Sequence, residues 1–132
     1  MATGSVDSIV PVLQAKDHQS GGLDIIEQES HLLIPGFNIV HTSINSKKVL
    51  NIPADYYVEL KLRSGAGRHS LLLTAGIIDN YYVGYLCYEI FNFGAAPFAM
   101  EKGFAYVQAI YHQISRPDNI KYSLKTRVSK TF

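Results

Sequence analysis

LLLTAGIIDNYYVGYLCYEI, residues Leu71 to Ile90, runs through an apolar segment, a turn carrying Asp79 and Asn80, the Tyr81-Tyr82 pair and Gly84, then a second segment rich in Tyr, Leu and Ile. Two apolar runs separated by Asp, Asn and Gly predict strands folded back on each other as a β-hairpin. Asp79 closes an Ala-Gly-Ile-Ile run, where a carboxylate is costly to bury unless something pairs with it or uses it. A turn residue bonding its own backbone is the plain reading of Asp79; a chemical role is the other.

Working outward, Tyr56 to Arg63 alternates cleanly, with Tyr56, Val58, Leu60 and Leu62 on one side and Tyr57, Glu59, Lys61 and Arg63 on the other. It runs into Arg63-Ser64-Gly65-Ala66-Gly67-Arg68, which reads either as a flexible glycine-rich hairpin loop or as amides and guanidinium arranged to hold an anion. Gly21-Gly22 enters the apolar Leu23-Asp24-Ile25-Ile26, which reads either as a strand whose backbone comes close to something or equally as a plain turn. Ser8 to Gln14, interrupted by Pro11, predicts an edge strand. His31 to Val40 splits at Pro35-Gly36, and Ile39 to Val49 continues as a strand with a polar interruption. Phe104 to Ile114 is aromatic and aliphatic, with Gln108 in its interior needing partners. About ten short strands, punctuated by Gly and Pro, predict an all-β sandwich, barrel or jelly roll.

At 132 residues, 47% hydrophobic, with a formal net charge of +1, the chain is long enough for one core. Residues 1–114 are expected to form that domain and 115–132 a tail or arm. The balance of charge argues against a nucleic-acid partner. No stretch reaches the roughly 18 to 20 apolar residues of a membrane span. One cysteine, Cys87, excludes an intrachain disulfide, suits a reducing intracellular compartment and is expected to be a small core residue. The five histidines lack ligand spacing, and no Gly-x-Ser-x-Gly nucleophile elbow occurs.

Four stretches in fixed order resemble the dUTPase family, trimeric all-β enzymes that cut dUTP to dUMP and pyrophosphate. Gly21 to Ile25 is similar to the motif Ala-Gly-Tyr-Asp-Leu; Pro53 to Gly65 resembles the strand ending in Arg-Ser-Gly. Gly76 to Gly84, GIIDNYYVG, is similar to Gly-(Val/Ile)-Ile-Asp-x-x-Tyr-x-Gly, and Gly103 to Ile110 to Gly-x-Arg-Ile-Ala-Gln-Leu-Ile. The likeness spans about Leu13 to Ile114 and implies a jelly-roll or distorted β-barrel in a homotrimer.

It further implies that Asp79 is the general base that deprotonates the attacking water, and that Tyr82 packs on the deoxyribose. Hairpin backbone groups, Gly76 among them, would read uracil; Arg63, Ser64, Gly65 and Gln108 would hold the phosphates. Asp24 would hold waters of a Mg²⁺ ion bridging the triphosphate. Val83 and Tyr85 flank Gly84 where the family carries Arg and an acidic or polar residue, Ala105 replaces an Arg, and Thr126 to Phe132 lacks the glycine-rich fifth motif. Two functions therefore stand side by side: a divergent dUTP nucleotidohydrolase, and a catalytically degenerate relative serving as a protein-interaction module with a host or cellular partner, as in some DNA viruses.

Overall fold

Period-two alternation sorts each strand into a wet and a dry side. In β5 (Tyr56–Leu62) Val58 and Leu60 are buried; in β10 (Ala105–Gln113) Val107 and Ala109 are. In β8 (Tyr85–Asn92) the buried set is Leu86, Tyr88, Ile90 and Asn92. The computed structural model describes residues 11–67 and 69–123. Its other elements are β1 (Leu13–Ala15), β2 (Gly22–Ile26), β3 (His31–Leu33), β4 (Gly36–Asn45), α1 (Ser46–Leu50), α2 (Ser64–Gly67), β6 (Leu71–Ala75), β7 (Ile77–Asp79) and β9 (Phe98–Met100).

The strands pair antiparallel in three sheets, ordered β1-β2-β10-β5-β7, β4-β8-β6 and β3-β9. Their dry sides meet in one core that includes Ile25, Leu33, Val58, Leu60, Leu86, Ile90, Met100 and Val107. Burying each such side chain contributes about 1.5–3 kcal/mol, so the sheet-on-sheet contact dominates stability. This is the all-β, jelly-roll-like architecture expected. The Pro11 segment does enter an edge strand, β1; residues 8–10 lie outside the described residues.

The predicted hairpin is real only in part. β6 pairs with β8, Leu73 opposite Ile90, but β7 leaves that sheet and pairs with β5, Tyr57 opposite Asp79. The break is at Gly76, where an added Cβ would lie 2.6 Å from the backbone oxygen of Leu60. Only glycine lets the chain pass this close as it changes sheets. Asp79 therefore belongs to one sheet and the returning strand of its own hairpin to the other.

Three further expectations are corrected. The strand foreseen to Val49 ends at Asn45, whose side chain accepts from the Lys48 amide at 3.0 Å and so caps α1; Asn51, at φ +45°, terminates it. The loop foreseen at Arg63 to Arg68 contains a helical turn, α2, in which the Gly67 amide donates to the Arg63 carbonyl at 3.1 Å. Cys87 points outward between buried Leu86 and Tyr88, with Sγ 3.8 Å from His41 Nδ1. Burial, then the Glu89 carboxylate, push its thiol pKa up, so it is not an activated nucleophile.

Candidate functional site

The outer face of the five-stranded sheet is polar because its strands alternate against the core. β10 lies between β2 and β5, which sets Gln108 opposite Asp24 on one side and Lys61 on the other. Arg63, immediately after β5, reaches back across the strand ends: its Nε is 3.2 Å from Asp24 Oδ1, and its Nη1 donates to the Ala105 carbonyl at 3.2 Å. Gln108 Nε2 donates to the Leu62 carbonyl at 3.4 Å. At Gly22 an added Cβ would lie 2.0 Å from Gln108 Oε1, so the bare glycine makes room for the amide. Arg63 and Ser64 also line a cleft of about 420 Å³ with Lys61, Thr74 and Gly76; Arg63 and Gly65 line a second, of about 270 Å³, with His69 and Tyr106. Asp24, Arg63, Ser64, Gly65 and Gln108 are thus brought toward one end of the sheet, while Gly76, beside Leu60, lies midway along β5 between them and Asp79.

Asp79 and Tyr82 are not brought there. Asp79 sits opposite Tyr57, six positions before Arg63, which is about 20 Å at about 3.3 Å per residue. A general base works within about 3 Å of the proton it takes, so Asp79 and Arg63 of one protomer cannot act at one phosphate. The Asp79 carbonyl accepts from the Tyr82 amide at 3.1 Å, as a turn residue would. Its carboxylate is exposed and accepts instead from the Tyr81 hydroxyl at 3.2 Å. It lines a cleft of about 440 Å³ with Tyr57, Ile77, Gln113, Ile114, Ser115 and Arg116. Tyr82 folds back onto its hairpin and donates to the Tyr85 carbonyl at 2.9 Å; Asn80 ties the turn to the carbonyls of Ala54 and Tyr56 at 2.8 and 3.0 Å.

Among the described residues no group of three or more His, Cys, Asp or Glu side chains is arranged to hold a metal. The carboxylate at the Arg63 end, Asp24, has its Oδ1 paired with Arg63 at 3.2 Å, so only its Oδ2 is left to meet the water shell of a hard cation.

Sequence reasoning missed a buried acid three residues beyond Asp24. Glu27 is 1% exposed; Tyr88 donates to its Oε2 at 3.1 Å, its Oε1 has no hydrogen-bond partner, and His31 Nε2 lies 3.9 Å away. Burial pushes its pKa up to about 7, against the Tyr88 hydrogen bond and with a further push from Glu29. No sequence pattern marks it, since Glu27 simply follows the last residue of β2. Ser115 and Arg116, in the expected tail or arm, line the cleft with Asp79.

A family model described as dUTPase matches residues 9–131. The deoxyuridine 5'-triphosphate nucleotidohydrolase of Fowlpox virus is 30% identical over 114 residues, covering 85% of this chain and 76% of the relative. A dCTP deaminase of Halorubrum lacusprofundi is 31% identical over 101 residues, 75% of this chain; the match spans only 48% of the deaminase's length. Among solved structures, a mutant dUTPase from phage phi11 of S. aureus, described with a structural Mg(II) ion, superposes with a TM-score of 0.69 at 21% identity, covering 86% of this chain and 89% of the phage chain. At that identity the superposition establishes the shared fold. Over nearly its whole length, then, the chain belongs to the dUTPase family.

Proposed function

We propose that the protein hydrolyses dUTP to dUMP and pyrophosphate, at sites completed between protomers of a homotrimer. The observation that supports this reading is the division of the outer face: Arg63, paired with Asp24, at one end of β5 and Asp79 with Tyr82 at the other, about 20 Å apart. Rotation about a threefold axis would bring one protomer's Asp79 end to its neighbour's Arg63 end, the head-to-tail contact that closes a ring. The outer side of β4-β8-β6 supports assembly, because Phe37, Ile39, Leu72 and Tyr85 are each at least half exposed there, an apolar face that a monomer rarely leaves bare.

In this reading Asp79 takes a proton from the attacking water, and the Tyr82 ring packs on the sugar. Arg63, Ser64, Gly65 and Gln108 hold the phosphates, and the hairpin backbone at Gly76 contacts the base. Asp24 orients waters of a Mg²⁺ ion, which when bound supplies charge stabilisation on the phosphate oxygens. The single cysteine suits a reducing intracellular setting.

The test is pyrophosphate release from dUTP with Mg²⁺, with dCTP run in parallel because deaminases are among the relatives. Release from dUTP that is lost in Asp79→Asn is the expected result. Ammonia from dCTP would replace the reading by deamination. Exposed Tyr81, Phe93 and Phe104, 69%, 63% and 59% accessible, favour the second reading, a protein-interaction module with a host or cellular partner. Absence of both turnover and nucleotide binding would select it.

A further inference from the structure

β10 does not release the chain into solvent at its end. The Ile114 amide donates to the Asp55 carbonyl at 2.8 Å and Gln113 Nε2 to Asp55 Oδ2 at 3.4 Å, which holds Gln113 and Ile114 against the start of β5. Gln113 pairs with Tyr56, one position from the residue that faces Asp79. The segment therefore crosses the end of β5, and Ser115 and Arg116 line one cleft together with Asp79. The floor is stiff: the Tyr57 ring stacks on His112 at 5.1 Å and 18°, and His112 Nε2 is held 2.9 Å from Glu59 Oε1. The Arg116 guanidinium lies 5.5 Å from the centre of the Tyr122 ring, a contact that orients it without neutralising it.

A carboxylate that must approach a polyanion meets like-charge repulsion, and among the described residues no cation forms an ion pair with Asp79. Arg116 and Ser115 line the same cleft as Asp79, and a guanidinium fork matches phosphate oxygens in a way that neither uracil nor deoxyribose does. We infer that Arg116, assisted by Ser115, binds the phosphate chain of the nucleotide beside Asp79, completing from the Asp79 side the grip that Arg63 exerts from the neighbouring protomer. This rests on the dUTP reading, and it adds a substrate-binding residue outside the four motif-like stretches.

The experiment compares full-length wild type, Arg116→Ala and Arg116→Lys by calorimetry, with a non-hydrolysable dUTP analogue plus Mg²⁺ and with uncharged deoxyuridine. The expected result is about a tenfold loss of analogue affinity in Arg116→Ala, partial recovery in Arg116→Lys, and unchanged affinity for deoxyuridine. Unchanged analogue binding by Arg116→Ala overturns the inference and leaves the dUTP reading standing. An equal loss for both ligands also overturns it, because the residue then merely supports the cleft. Wild type that takes neither ligand overturns both readings.

Discussion

Arg63 Nε lies 3.2 Å from Asp24 Oδ1, joining the end of β5 to the middle of β2 across β10. With Arg63 40% exposed, such a pair contributes at most about 1 kcal/mol to stability, so its consequence is position: it holds a guanidinium over the cleft. Arg63→Ala should raise KM for dUTP about tenfold or more while moving the urea midpoint little. Steady-state kinetics beside a urea titration check this.

Two glycines should respond in opposite ways to the same substitution. In Gly22→Ala the new methyl meets the free end of the Gln108 side chain, which can swing aside; the fold should lose less than about 1 kcal/mol while phosphate binding falls as far as in Gln108→Ala. In Gly76→Ala it meets the Leu60 carbonyl, which belongs to the sheet, and about 1–3 kcal/mol of stability should be lost. Thermal melts and analogue titrations of the three variants separate the cases. The Gly22→Ala/Gln108→Ala double variant should bind no worse than either single one.

A site shared between protomers predicts complementation. Asp79→Asn, inactive alone, and Arg63→Ala, impaired at dUTP concentrations well below its raised KM, should together regain about a quarter of wild-type activity at such low dUTP when refolded in equal amounts, since about one interface in four then carries both native residues. Activity per mole of the mixture is the measurement. No recovery would overturn the shared site, leaving Asp79 and Arg63 without a common phosphate.

Glu27 should make stability fall as pH rises. Its pKa in the folded protein is raised to about 7 from an ordinary 4.5, so the folded state holds the proton more tightly than the unfolded chain. This contribution is complete below about pH 4.5, declines between 4.5 and 7, and stays lost above, a total of about 3 kcal/mol. Glu27→Gln should remove that slope and be more stable than wild type at pH 8, since a neutral amide replaces a buried charge facing Glu29, His31 and Tyr88. Denaturant midpoints at pH 5 and pH 8 test the sign.

The dry sides of β5, β8 and β10 were legible because period-two alternation is local: whether Val58 or Glu59 faces the core is decided within a few residues. Helix α1 was not, because it depends on the Asn45 cap and the αL turn at Asn51 overriding a β-branched, strand-like context. The outward turn of Cys87 was missed for a different reason, since an apolar run does not say which of its two faces is covered.

By itself the sequence determined an all-β chain of about ten short strands and a set of side chains matching the dUTPase family, because strand propensity, alternation and motif spacing are properties of neighbours along the chain. Only the tertiary structure decided that Gly76 sends β7 to the other sheet, that Asp24 meets Arg63, and that Asp79 lies at the far end of β5 beside Arg116. Those outcomes depend on the pairing register between segments distant in sequence, and on backbone approaches that only a glycine without Cβ allows.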